Sequence, residues 1–263
     1  MLAKLFVLIP VLNESGNIPM LIDSLHNLCV ELQNQYRVLI FLIDDGSQDN
    51  TAALATGVSS DIGIDLEVIR HEMNQGPGKA FGTGFSHIIP LFHENDLILT
   101  MEGDNTSRLN LVKQMLTRMN EGFDAVFASP YMYGGQILHT SAYRVFLSAV
   151  ANLLVKEILG INGIFTASSF FRLYRVPTIT HLQSVYGPEI LERTGFECMV
   201  EMTMKMINMK ITISEVPLVL DTKLRVGKSR MKIMRTILGY FELFQLKNKW
   251  KIRAKKLQIS SQP

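Results

Sequence analysis

The chain has 263 residues, 47% of them hydrophobic and 19% charged, which allows a sizeable core in one large or two small domains and rules out wholesale disorder. Two cysteines, Cys29 and Cys198, exclude a disulfide framework or a Cys-rich zinc site and fit a reducing cytosol. The net charge of +2 conceals an asymmetry: residues 1–222 hold 14 Lys/Arg against 23 Asp/Glu, net −9, whereas residues 223–263 hold 12 basic residues and one acid, Glu242, net +11.

The apolar run Lys4 to Pro10 predicts a buried strand rather than a signal peptide, and Asn17 to Gln33 an amphipathic helix. Arg37 to Ile43 is a second strand, ending at Asp44, followed by a helix from about Asn50 and a strand at Leu66 to Ile69. Gly78 to Leu91 predicts a helix, Asp96 to Met101 a strand, Leu109 to Asn120 a helix and Asp124 to Ala128 a strand. Such alternation implies an α/β, mainly parallel sheet covered on both faces, with ligands beyond the carboxyl ends of the strands. The polar clusters fall there: Asn13-Glu14, Asp44-Asp45, and Glu102 with Asp104.

Tyr143 to Leu159 predicts a helix that is nearly all apolar, with Arg144, Ser148, Asn152 and Lys156 along one stripe. It is either buried around a satisfied polar seam or lies at a membrane edge. Gly195 to Met209 reads as a helix, Ile211 to Val216 as a strand, and Met231 to Leu246 as a helix with Met234, Ile237, Leu238, Phe241 and Phe244 on its apolar face. The following KNKWKIRAKK places six basic residues around Trp250, a composition suited to a lipid interface or to a surface helix docked on the core. No stretch is long and apolar enough for an ordinary transmembrane helix.

Two carboxylates spaced by two beside a strand end, Glu102 and Asp104, can hold one hard divalent cation, which would neutralise a diphosphate leaving group. Asp49 reads as a turn or cap residue. The glycines of NQGPGKAFGTGF match neither the dinucleotide fingerprint nor the P-loop, and no HExxH, paired CxxC or GxSxG element is present.

The ordered set LIPVLNE, IDDGSQDNT, NQGPGKA, MEGDNTS, GFECMVEM and EVPLVLD…VGKSRMKI resembles the family-two glycosyltransferases of GT-A fold, in the dolichyl-phosphate mannose synthase-like branch. The resemblance implies an inverting, metal-dependent transfer from a nucleoside diphosphate sugar to a polyprenyl phosphate, with Mg²⁺ or Mn²⁺ as cofactor. It implies a GT-A domain over 1–222 and a basic amphipathic segment over 223–263, packed on that domain and facing the cytosolic side of a membrane. A nucleic-acid partner is not expected. In this resemblance Pro10, Leu12 and Glu14 line the nucleotide, and Ile43, Asp44 and Asp45 hold base and ribose. Glu102, Gly103 and Asp104 occupy the Asp-x-Asp positions for metal and diphosphate, with Asn105 and Thr106 as polar donor contacts. Arg144, Ser148 and Arg230 fall at acceptor-phosphate positions; Asp104, Arg144 and Arg230 carry the catalytic roles. The chain departs from the pattern at Glu102 (for Asp), Pro130 (for Arg), Thr166 (for Asp), Phe170 (for Gly), Leu224 (for a basic residue) and Arg230 (for Lys). A hydroxyl acceptor would need a carboxylate base, for which Glu197 and Glu201 are candidates; a catalytically weak sugar-nucleotide-binding or membrane-scaffold protein is the alternative from another class.

Overall fold

A computed structural model of the chain describes residues 2–227 and 233–260, with the backbone alone for 233–238 and 257–260. In chain order the elements are β1 (Ala3–Val11), α1 (Ile18–Leu32), β2 (Tyr36–Asp44), α2 (Thr51–Ile62), β3 (Leu66–Arg70), α3 (Pro77–Ile88) and β4 (Leu97–Thr100). There follow α4 (Val112–Asn120), β5 (Ala125–Ser129), β6 (Gln136–Leu138), α5 (Ala142–Leu159), β7 (Arg172–Arg175) and α6 (Val176–Tyr186). The last are α7 (Cys198–Asn208), β8 (Ile213–Pro217), β9 (Val219–Asp221) and α8 (Ile233–Ser260).

Seven strands form one sheet in the order β3-β2-β1-β4-β7-β5-β8. All neighbours are parallel except β7, which runs antiparallel to both β4 and β5. Alternation along β1 explains the layers. Phe6 and Leu8 point to a core shared with α3, α6, α7 and α8, while Leu5, Val7 and Ile9 point to a core under α1 and α4. A separate two-stranded parallel ribbon pairs β6 with β9.

Two expectations are corrected in the C-terminal part. The last helix does not stop at Leu246 but continues through the basic run, packing on α5, α6 and α7. Its buried face carries Leu243, Trp250 and Ala254, whereas Phe241 and Phe244 are exposed. Of the two settings its composition allowed, Trp250 takes the docked one: its ring is fully buried and its Nε1–H donates to Glu192 at 2.8 Å. Among the described residues no helix is long and apolar enough to cross a membrane.

Candidate active site

The loops after β1 and β2 are stitched together where both strands present their carboxyl ends. Asn13 donates its N–H to Ser47 Oγ at 2.8 Å and accepts from Gln48 N–H at 2.8 Å; Glu14 N–H donates to Thr51 Oγ1 at 2.9 Å. Asn13 takes φ of 51°, a left-handed conformation that Asn tolerates in turns. Asp49 accepts from Thr51 and Ser15; burial opposes it, but these hydrogen bonds hold its carboxyl below the usual range, which fits the turn role read from sequence. Pro10, Leu12 and Glu14 are partly exposed along this rim. Ile43 is not on it: the side chain is wholly buried beneath α3, beside Leu8 and against Gly84, so it presents no side-chain surface to a nucleotide.

Asp44 and Asp45 are turned inward. Asp44 is fully buried, accepts Ser47 N–H at 2.8 Å and lies 3.4 Å from Arg70 Nε, so it anchors the turn that begins at Asp45. Asp45 accepts three hydrogen bonds: Gln75 N–H at 2.9 Å, Gly76 N–H at 2.7 Å and His71 Nδ1 at 2.8 Å. His71 Nε2 in turn meets Thr83 Oγ1 at 2.9 Å. Sequence reasoning missed His71, whose only signal is a lone His at the end of a strand facing the Asp45 turn. Gly76 takes φ of 96°, and a Cβ there would lie 2.4 Å from Thr194 O, so only glycine lets this loop close over Asp45.

Beyond β4 the chain turns through Glu102, Gly103, Asp104 and Asn105. A Cβ on Gly103 would fall 2.5 Å from Val11 Cγ1, which explains the glycine between the two acids. Asn105 has φ of 63° and ties the turn to α1, donating from Nδ2 to Asn17 O at 2.9 Å. Asp104 Oδ1 accepts from Thr106 N–H at 3.0 Å and Thr106 Oγ1 at 2.6 Å. Its Oδ2 accepts from Arg225, through Nε at 2.7 Å and through Nη2. Burial, and secondly the charge of Asp104, push the Glu102 carboxyl up to about 7. Two crowded carboxylates of this kind are what a divalent cation relieves, so the pair fits a cation. Among the described residues no group of three or more His, Cys, Asp or Glu is assembled for a metal.

Three positions where the chain departs from the expected pattern, Thr166, Phe170 and Pro130, are built into the packing around α5 and β7. Thr166 is buried, with its N–H donating to Glu215 at 2.9 Å. Phe170 fills the space a glycine would leave, edge-on to Phe81 at 5.3 Å and stacked on Phe196 at 5.6 Å. Pro130 leads into Tyr131, whose hydroxyl meets Ser148 Oγ on α5 at 2.6 Å. Asn152, one turn on, donates to Phe165 O at 2.6 Å. Two residues of the polar stripe of α5, Ser148 and Asn152, thus bond to the protein, and Val155 and Leu159 are the buried side chains of the helix. Its apolar residues Tyr143, Phe146, Leu147, Leu153, Leu154 and Ile158 face outward, with Tyr143 70% and Phe146 63% exposed. Arg144 is exposed in the first turn of α5, which Ser141 caps by accepting the Arg144 N–H. The β6–β9 ribbon carries this helix start and the Arg225 segment to the same edge. Arg230 lies outside the described residues.

The candidate bases for a hydroxyl acceptor are enclosed. Glu201 is fully buried, 2.5 Å from Lys205 Nζ, and accepts the N–H groups of Glu192 and Arg193 at 2.8 Å each. Glu197 is 5% exposed, 3.4 Å from Arg193 Nε and packed against Gly195 and Gly239.

Comparison with known proteins adds four findings. The family model described as Glycosyl transferase family 2 matches residues 6–182. Polyprenol monophosphomannose synthase of Mycolicibacterium smegmatis is 25% identical over 228 residues, covering 87% of this chain and 81% of that protein. Undecaprenyl-phosphate 4-deoxy-4-formamido-L-arabinose transferase of Salmonella choleraesuis is 31% identical over 176 residues, 67% of this chain but only 50% of that protein. Among solved structures, glucosyl-3-phosphoglycerate synthase of Mycobacterium tuberculosis, in complex with Mn²⁺, uridine diphosphate and phosphoglyceric acid, superposes with a TM-score of 0.64 at 16% identity. The overlap covers 92% of this chain and 78% of that one, a likeness of fold.

Proposed function

The chain belongs to glycosyl transferase family 2, and from that premise we propose that it moves a sugar from a nucleoside diphosphate donor to a polyprenyl phosphate at a membrane surface. The donor sits over the carboxyl ends of β1, β2 and β4, where Pro10, Leu12, Glu14 and the Asp45 turn form the nucleotide side. Glu102 and Asp104 would hold Mg²⁺ or Mn²⁺, which when bound neutralises charge on the departing diphosphate. An acceptor phosphate oxygen attacks the anomeric carbon, that carbon's bond to the diphosphate breaks, and the diphosphate leaves with the electron pair, inverting the centre. A phosphate monoester is largely ionised near pH 7, so no side-chain base is needed. Catalysis then rests on positioning and charge compensation, with Arg144 and Arg230 proposed at the acceptor phosphate.

The observation that carries the lipid acceptor is α5, which turns Ser148 and Asn152 to the protein and an apolar face with Tyr143 and Phe146 outward. The enclosure of Glu197 and Glu201 weighs against a hydroxyl acceptor. In this reading residues 1–222 form the glycosyltransferase domain, 223–263 adds Arg225 and Arg230 to its site and supports the membrane-facing side, and the protein sits peripherally on the cytosolic face. Not all of the basic run is free for lipid, since Lys249 pairs with Glu192 at 2.8 Å and Arg253 donates to Tyr186 O at 3.2 Å. The names of the two sequence relatives, a polyprenol phosphate and an undecaprenyl phosphate enzyme, support the same acceptor class.

The test is incubation with a panel of nucleotide sugars, Mg²⁺ or Mn²⁺ and a short polyprenyl phosphate, with mass spectrometry of the lipid. A glycosylated lipid phosphate is expected. Transfer only to hydroxyl acceptors would overturn the reading.

A further inference from the structure

The segment after β9 crosses the mouth of the site as a strap fixed at both ends. At one end Asp221 N–H donates to Thr106 O at 3.0 Å, and the Asp221 side chain caps the turn Thr222–Leu224 by accepting Lys223 N–H at 3.1 Å. At the other, Val226 N–H donates to Asn17 Oδ1 at 2.8 Å and Asn17 Nδ2 donates back to Val226 O at 3.1 Å. Between these anchors Arg225 puts two guanidinium nitrogens on one oxygen of Asp104, while Thr106 occupies the other oxygen. Asp104 is 8% exposed and both of its carboxylate oxygens accept hydrogen bonds from the protein.

We infer that Arg225 is a built-in surrogate for the cation: it holds Asp104 in the donor-free protein and is displaced when a divalent cation arrives with the donor diphosphate. The inference rests on the reading of Asp104 as a cation ligand. A guanidinium stays charged at any working pH and cannot yield its place by losing a proton. A cation arriving alone must therefore break the Arg225–Asp104 pair and leave a guanidinium beside a dication, two unfavourable changes. A cation arriving with a diphosphate avoids the second, because phosphate oxygens accept the released forked donors. The strap thus couples cation binding to donor binding through one side chain, and by linkage the coupling acts in both directions. Gly227, directly after the Val226 anchor, has φ of 96°, a conformation that β-carbon residues avoid.

The experiment is calorimetric titration of Mn²⁺ alone into the full chain, in the wild type, Arg225→Gln, Arg225→Lys, Asp104→Asn and the Arg225→Gln/Asp104→Asn double variant. Folding of each is checked by thermal melt. Arg225→Gln is expected to bind Mn²⁺ about tenfold tighter than wild type, within the range typical of coupled sites. Arg225→Lys, which keeps the charge but not the fork, should stay near the wild type, and the double variant should lose the gain. If Arg225→Gln binds no tighter while Asp104→Asn still weakens Mn²⁺ binding, the surrogate role is overturned and the cation site stands. If the gain survives in the double variant, or Asp104→Asn changes nothing, the cation reading of Asp104 falls and the inference with it.

Discussion

His71 and Asp45 form a buried pair, Nδ1 to Oδ1 at 2.8 Å, that closes the Gln75–Gly76 loop over the end of β2. Nδ1 carries the proton that meets the carboxylate, and Nε2 meets the Thr83 hydroxyl at 2.9 Å. Removing the ring leaves a buried carboxylate oxygen short of one donor, at a cost of roughly 1–3 kcal/mol. His71→Ala should lower the melting temperature and weaken nucleotide binding together. His71→Asn, whose amide can still donate from the same side, should recover much of both. Thermal melts paired with nucleotide titration check this; unchanged stability in His71→Ala would show that the pair holds nothing.

The cation site proposed at Glu102 and Asp104 makes a second prediction. Asp104→Ala should abolish transfer and the metal dependence of donor binding, because Glu102 alone cannot compensate the diphosphate charge. Glu102→Asp keeps the charge and the donor atoms and should retain substantial activity. Donor titration with and without Mn²⁺, beside initial rates, separates this from a turn-stabilising role. Loss of a capping residue costs only about 0.5–2 kcal/mol and leaves donor affinity intact.

Glu192 ties α8 to the body, accepting from Lys249 and from Trp250 Nε1 at 2.8 Å each, with Lys205 at 3.5 Å. Burial opposes its charge, but these donors prevail and pull the carboxyl down from 4.5 to about 2. A folded value below the unfolded one means the unfolded chain binds more protons in between. The stability Glu192 contributes is therefore fully present above about 4.5 and lost as pH falls through about 2. Glu192→Gln should lower the melting temperature at pH 7 by about 2–4 °C, as roughly 1 kcal/mol does in a chain of this size after allowance for solvent screening. The gap from wild type should shrink in melts taken towards pH 2. A gap independent of pH would assign the loss to packing alone.

The outward face of α5 is the fourth test. Phe146→Glu and Leu154→Glu replace exposed side chains, so the melting temperature should move little. Sedimentation with anionic liposomes should fall severalfold for each, since an apolar contact is exchanged for a charge that anionic lipid repels. Ending the chain at Leu246 is a different experiment: it strips Trp250 and Ala254 from the core, so it should destabilise the fold before it reports on lipid.

The sheet's parallel strands were legible because buried strands read as unbroken apolar runs, LFVLI in β1 and VLIFLI in β2. β7 was not: four residues with an Arg at each end, RLYR, carry no such run. Arg172 is nonetheless fully buried, its charge over the Phe127 ring at 4.0 Å and its donors on Ser169 O and Ala167 O. The setting of Trp250, left open between a lipid interface and a docked helix, was ambiguous for a related reason. The surrounding cations suggest a lipid surface, but Lys249 and Arg253 turn to Glu192 and Tyr186, partners 57 and 67 residues away in the chain. Glu102 and Asp104 were legible as a pair through their spacing, whereas Arg225 on Asp104 depends on a contact across 121 residues that no local pattern encodes.

The reversed strand has a consequence for the order in which the chain is made. β4 ends at Thr100, yet the neighbour on its far side, β7, begins only at Arg172, after β5, β6 and α5 have been synthesised. At about 5–20 residues per second, roughly 4–15 s pass between the emergence of the two strands. Throughout that interval β4 offers an open edge, and once Ser129 has been made β5 is available to pair with it. The nascent chain must leave that slot vacant, and a β5 docked there too early would have to be expelled before Arg172–Arg175 could enter between them.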